Sequence, residues 1–150
     1  MTHISTNHIT ASVANALQYI SYYHPPDFIE SMSRAYEREA SESAKNAIGQ
    51  ILINSRMAAE GRRPMCQDTG IVVVFIKIGQ SVVIDGDISL QNAIDEGVRQ
   101  AYTDPDNPLR ASVVSPPIGE RRNTGDNTPA VVHIEMVTGD TLEITVAAKG

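Results

Sequence analysis

The sequence predicts an α+β fold of the mixed α/β kind, with N-terminal helices followed by a mixed β-sheet and one intervening helix. Three features predict it. Apolar residues recur at helical spacing through residues 10–61. The run Ile71–Ile78 is β-branched and almost unbroken. Residues 130–148 alternate in polarity on either side of Gly139-Asp140. Residues 1–62 are expected to form a helical segment, and residues 63–150 the mixed-sheet part of the same domain. The sequence contains no dinucleotide-binding glycine fingerprint, internal repeat or low-complexity segment.

Taken in order, residues 1–9 are polar and are expected to be loosely ordered. From Thr10, Val13, Leu17 and Ile20 mark a helix, which Pro25-Pro26 interrupts. Asp27 suits the first turn of a second helix, where a carboxylate meets the positive end of the dipole. Its apolar stripe is Phe28, Ile29, Met32, Ala35 and Tyr36. Ser41 or Ser43 can cap a third helix. That helix carries Ala44, Ala47, Ile48, Ile51, Leu52 and Ser55 and stops at Gly61, with Gly49 marking close packing. Ile71–Ile78 reads as a strand buried on both faces. Gly79-Gln80 then turns into a short strand, Ser81–Ile84. Ser89 caps a helix bearing Leu90, Ala93, Ile94, Val98 and Ala101. A loop with two prolines leads to an extended segment, Leu109–Val114. Residues 115–129 hold little core material, and a loop of that length is functional or disordered more often than neutral. Gly139-Asp140 signals a hairpin between the last two strands.

At 150 residues and 41% apolar content, the chain fits one domain able to bury roughly 68–70% of its unfolded surface. Its net charge of −6 is the wrong sign for a nucleic-acid footprint, and Arg121-Arg122 reads as a solvated loop. No basic residue precedes Arg34, so no secretory or transit pattern is expected. No apolar run approaches the roughly 20 residues of a membrane span. One cysteine excludes an internal disulfide, and a cytoplasmic setting is the default expectation.

That cysteine lies in Arg63-Pro64-Met65-Cys66-Gln67-Asp68-Thr69-Gly70, between the helical pattern and the first long strand. Cys66 is either a small buried hydrophobe or a loop ligand; its polar neighbours argue for a loop. A lone thiolate cannot hold an iron–sulfur cubane, which normally takes four. Gln67 and Asp68 either form an Asx-type turn or face a ligand, to which an amide can hydrogen-bond and a carboxylate can hold a hydroxyl or help move a proton. Thr69 supports the loop. Arg110 is either a solvated charge or a two-pronged clamp for a carboxylate. Residues 123–129, Asn-Thr-Gly-Asp-Asn-Thr-Pro, are dense in turn formers, and no single role is assigned among them. The four histidines form no ligand pattern, and a zinc site is not expected.

Several segments, in this order, resemble the N-terminal part of class I, iron–sulfur fumarate hydratases. They are His24-Pro25-Pro26-Asp27, Asn54-Ser55-Arg56-Met57, the Cys66 octet, Asp106-Asn107-Pro108-Leu109-Arg110, residues 123–129, and Ala147-Ala148-Lys149-Gly150. The resemblance implies a fragment of a longer hydro-lyase that interconverts fumarate and (S)-malate in the tricarboxylic acid cycle. It implies a 4Fe-4S cluster with Cys66 as its first protein ligand and one iron open as a Lewis acid. Two further cysteines would lie beyond Gly150, so the fragment alone is expected to lack the cluster and the activity. By the same resemblance Gln67, Asp68, Arg110 and Gly150 contact substrate, Asp68 supports the reacting end, and Gly150 opens a glycine-rich loop that brings backbone amides to the anion. The implied partners are a small dicarboxylate, the remaining C-terminal part of the enzyme and, at full length, a second copy in a homodimer. Tartrate dehydratase, whose related subunit has a similar Cys-Gln-Asp-Thr-Gly element, is the enzyme alternative. A non-enzymatic binding module with Cys66 as a redox-sensing thiol is the alternative of another class.

Overall fold

In a computed structural model, residues 1–66 and 70–149 are described. The fold is α+β, as the sequence predicts. The chain forms two compact units, Met1–Gln18 with Gln67–Gly150, and Tyr19–Cys66.

The first unit begins with a strand, β1 (Thr2–Ser5), in place of the expected loose tail. This strand pairs in parallel with β3 (Val82–Asp85), with Thr2 opposite Val82 and Ser5 opposite Asp85, and its Ile4 packs against the core. Helix α1 (Thr6–Tyr22) then starts one turn earlier than its apolar stripe. Ser5 Oγ accepts from the His8 amide at 3.2 Å, the bond of an N-cap serine. Ile9, Val13 and Leu17, spaced by four, are buried.

Strand β2 (Ile71–Gly79) lies between β6 (Val131–Val137), which is parallel to it, and β7 (Leu142–Lys149), which is antiparallel. The expectation of a strand buried on both faces is corrected. Val72, Val74 and Ile76 are buried, whereas Ile71 and Phe75 are 48% and 49% exposed. Phe75 stacks on its register partner His133, with ring centroids 5.1 Å apart. The outward β-branched and aromatic residues therefore serve cross-strand pairing rather than burial.

The expected hairpin between the last two strands is also corrected. The chain does turn at Gly139, but β6 and β7 flank β2 instead of pairing with each other. The end of β2 lies between them. Gly79 N donates to Thr141 O, Gln80 N to Val137 O and Ser81 N to Gly139 O, each at 2.9 Å. A Cβ on Gly79 would come within 2.6 Å of Gly139 O, so glycine is what allows the crossing.

Helix α4 (Leu90–Tyr102) is capped by Ser89, whose Oγ accepts from Asn92 N at 3.1 Å, as expected. Its Ala93, Ile94, Val98 and Ala101 join the stripe of α1 and the inward face of β2 in one core. The two helices come close enough for Thr10 Oγ1 to donate to Ala93 O at 2.8 Å. A Cβ on Gly97 would meet Thr10 O at 2.6 Å. Beyond α4, residues 109–113 carry no ladder, and only β4 (Val114–Ser115) pairs, antiparallel with β5 (Arg122–Asn123).

In the second unit, α2 (Pro26–Arg38) packs on α3 (Glu42–Gly61). Pro26 sits in the first turn of α2, where its missing amide hydrogen costs nothing. Ser41, rather than Ser43, caps α3 and accepts from Ala44 N. Gly49 lies against Tyr36; an added Cβ would stand 3.2 Å from the ring. Gly61 ends the helix, but the left-handed residue that reverses the chain is Arg62, with φ 47°. The expected stripe of α3 is only partly covered: Ser55 is buried and Ala44, Ile48 and Leu52 are half-buried, while Ala47 and Ile51 are exposed; Ala58, outside that stripe, is buried. Among the described residues, no helix is long and apolar enough to cross a membrane.

Candidate functional site

The β-register gathers several of the chemistry-bearing segments at one end of the first unit. Ile71, at the start of β2, is paired with Lys149 at the end of β7. Val73 is paired with Val131 at the start of β6, which Ala130 separates from residues 123–129. Gly70 therefore lies at the same end of the sheet as both the run to Lys149 and the polar loop.

The loop is held by its own side chains. Asn123 Nδ2 donates to Ala111 O at 2.8 Å, and Asn123 Oδ1 accepts from Gly125 N at 2.8 Å. Thr124 N donates to Val113 O at 2.9 Å. Asp126 Oδ1 accepts from the amide and hydroxyl of Thr128, at 3.0 and 2.8 Å, and its Oδ2 accepts from Arg99 Nε at 3.0 Å. Arg99 also bonds Glu96. Ala130 N donates to Asp95 Oδ1 at 2.8 Å. The turn-chemistry reading of this segment thus holds for Asn123 and Asp126. The segment is not a disordered linker, because side chains satisfy the amides that a ladder would otherwise use.

Asn127, like the rest of residues 123–129, carries no assigned role in the sequence reading. Its side chain is 0% exposed. Its Oδ1 accepts from Ser112 N at 2.8 Å and Val113 N at 3.0 Å, and its Nδ2 donates to Gly70 O at 2.8 Å. Ser112 Oγ also donates to Gly70 O, at 3.2 Å. Asn127 adopts φ 62°, a left-handed conformation that asparagine tolerates better than most residues. An Asn following Gly-Asp in a polar loop was the available signal, but sequence alone does not tell a surface turn from a buried bracket.

Arg110 is exposed and lies two residues before this bracketed segment, directly after the buried Leu109. The loop leading to it is anchored by Gln18, whose Nε2 donates to Ala101 O at 2.6 Å and Asn107 O at 3.0 Å. Asn107 Nδ2 returns a bond to Gln18 Oε1 at 2.5 Å. These part-buried amide contacts fix the backbone that leads to Arg110.

Cys66 ends the helical unit and is exposed, so the reading as a buried hydrophobe is set aside. Nearby, Met65 N donates to Ser21 O at 2.9 Å, and Asn54 Nδ2 donates to Met65 O at 3.1 Å. His24 Nδ1 lies 3.0 Å from Ser55 Oγ, and its ring stacks on Phe28. The expected substrate contacts Gln67, Asp68 and Gly150, with Thr69, lie outside the described residues. Among the described residues, no group of three or more His, Cys, Asp or Glu could hold a metal. The exposed thiol suits one corner of an iron–sulfur cluster, but these residues do not complete one.

Burial raises the Asp126 carboxyl, but the amide and hydroxyl of Thr128 and the Arg99 guanidinium outweigh it and hold the group below the ordinary carboxylate value. Arg99 is raised in turn, first by its hydrogen bond to Asp126 and then by Glu96. A depressed carboxyl adds stability that is complete above its unfolded pKa of about 3.9 and is lost as the pH falls through the lower native value. Urea unfolding across that acid range should therefore show a shallower pH dependence in Asp126→Asn than in the parent. Identical slopes would mean that the Arg99–Asp126 contact is without thermodynamic weight.

Residues 10–150 match the family model described as fumarate hydratase (Fumerase). The chain is 34% identical over 145 residues to a putative L(+)-tartrate dehydratase subunit alpha of Methanocaldococcus jannaschii, covering 95% of this chain and 50% of that protein. It is 29% identical over 150 residues to the L(+)-tartrate dehydratase subunit alpha of Escherichia coli, covering 97% and 48% respectively. The same identity and coverage hold for the Shigella sonnei subunit. The chain spans about half the length of the curated relatives it matches. With the family model extending from the first helix through the last strand, the chain belongs to the fumarate hydratase (Fumerase) family of hydro-lyases.

Proposed function

We propose that this chain is the N-terminal part of an iron–sulfur hydro-lyase that adds or removes water across a four-carbon dicarboxylate. The observation that carries the proposal is the meeting of Gly70, the segment after Arg110 and the 123–129 loop around one buried amide at a single end of the sheet. This is how a rigid scaffold presents loop side chains to a small anion.

In this reading Cys66 supplies one thiolate of a 4Fe-4S cluster, and chain outside these residues supplies the others. When bound, such a cluster supplies a Lewis acid for a substrate hydroxyl and carboxylate. Arg110 grips one carboxylate in a planar fork. Gln67 hydrogen-bonds the other, Asp68 holds the reacting end, and backbone amides from Gly150 onward receive the anion. Two substrates follow from the same chemistry. Fumarate and (S)-malate accord with the family model, whereas L(+)-tartrate accords with the names of the relatives. Those names also describe α subunits, so a further subunit or a C-terminal part completes the active protein in this reading, as a homodimer of the whole.

The test is anaerobic reconstitution of the whole gene product, with any partner subunit, beside the 150-residue chain alone. Fumarate formation from (S)-malate is read by its ultraviolet absorbance, and oxaloacetate formation from L(+)-tartrate by coupled reduction. Turnover of one substrate is expected for the complete protein only. Losing the Lewis acid removes several kcal/mol of barrier lowering, so the chain alone should be inactive. Turnover by the chain alone would overturn the assigned cofactor. A complete protein that holds no iron and converts neither substrate would favour the redox-sensing module instead.

A further inference from the structure

We propose that Asn127 is a positioning residue that holds two ligand-bearing segments in register with each other: the chain on the C-terminal side of Gln67-Asp68, and the chain following Arg110. The inference deepens the hydro-lyase reading and rests on it for the identity of the ligand. It adds a residue that touches neither substrate nor cluster.

Gly70 O, Ser112 N and Val113 N belong to a stretch that makes no ladder on this side, and Gly70 is buried. Backbone polar groups in such a place need partners. One carboxamide satisfies all three, with two acceptor bonds through Oδ1 and a donor bond through Nδ2, at 2.8, 3.0 and 2.8 Å. Asparagine is the side chain of this length that combines donor and acceptor in one plane. Aspartate keeps the acceptors but loses the donor, and its charge would face the Gly70 carbonyl. Gly70 directly follows Gln67-Asp68-Thr69, and Ser112 lies two residues after Arg110. A shift of this bracket therefore moves the backbone at Gly70 and the backbone that follows Arg110 together. The bracket is itself held from behind, because neighbouring Asp126 is tied to Thr128 and Arg99.

A purely structural role and a positioning role differ in where the damage appears. The experiment is hydrogen–deuterium exchange on the complete protein, comparing Asn127→Asp with Val98→Ala. The latter opens a cavity in the core beneath α4 and destabilises without touching the bracket. Asn127→Asp should speed exchange by about tenfold in peptides covering residues 66–72 and 110–114, with little change in β6 and β7. Exchange that rises evenly, or with the same pattern as Val98→Ala, overturns the proposal. If Asn127→Asp does not fold, Asn127→Gly decides. It accepts the left-handed backbone and removes all three carboxamide bonds, so an increase confined to residues 66–72 and 110–114 supports the bracket, and no increase overturns it. In the active protein Asn127→Asp should raise KM for the dicarboxylate more than it lowers kcat, at unchanged iron content. If the parent protein converts no dicarboxylate, the reaction assignment fails while the exchange result still decides the bracket.

Discussion

Replacing Cys66 with serine in the complete protein is expected to abolish activity while leaving the fold intact. The residue is exposed at the end of the helical unit and contributes nothing to the core, so the substitution removes no packing. A serine hydroxyl, however, is a far weaker iron donor than a thiolate, which is deprotonated outright on binding metal. On the proposed reading the cluster should be lost or become labile, and with it the several kcal/mol by which a Lewis acid lowers the barrier. Iron content, near-ultraviolet absorbance and thermal unfolding after anaerobic purification check the two halves of this expectation separately. Parental iron with intact turnover would remove Cys66 from the site. Simultaneous loss of iron and of folded structure would show the cluster to be a folding determinant of the whole protein.

Arg110→Lys should lower kcat/KM by at least about tenfold, the equivalent of about 1.4 kcal/mol of lost transition-state stabilisation. Lysine keeps the positive charge but not the planar pair of donors that matches a carboxylate. Arg110→Ala should fall further, by about 1.5–3 kcal/mol for a hydrogen-bonded charge left without its partner. Gln18 and Asn107 hold the preceding loop through backbone and amide contacts that do not involve the guanidinium, and thermal unfolding run beside the kinetics separates a lost clamp from a lost fold. Iron content should be unaffected. Near-parental kcat/KM in both variants would mean that the carboxylate clamp is another residue.

The short-range features of this chain were legible because they are set by short-range physics. The caps Ser41 and Ser89, the break at Pro25-Pro26, the apolar stripes of α1 and α4 and the β-branched character of β2 each depend on a few neighbouring residues. The same holds for the exposure of Cys66, whose polar neighbours and the helix end before it mark a loop. The family resemblance was legible for a related reason: it resides in short motifs rather than in their arrangement in space.

What only the tertiary structure decided is which partner each backbone group finds. The strand pattern at residues 130–148 is that of a hairpin, yet β2 inserts between its two arms, because Gly79 can approach Gly139 without a side chain in the way. The tail became β1 because β3, rather than pairing with its sequence neighbour β2, had an open edge to offer. Asn127 follows the same logic. In sequence it is one turn-forming residue among several, and its importance comes from burial beside Gly70, Ser112 and Val113, at sequence separations of 57, 15 and 14. Periodicity and capping report what a residue does to its neighbours in the chain. Strand order and buried hydrogen bonds depend on residues far apart in sequence, so they are decided only once the core of α1, α4 and β2 has brought those residues together.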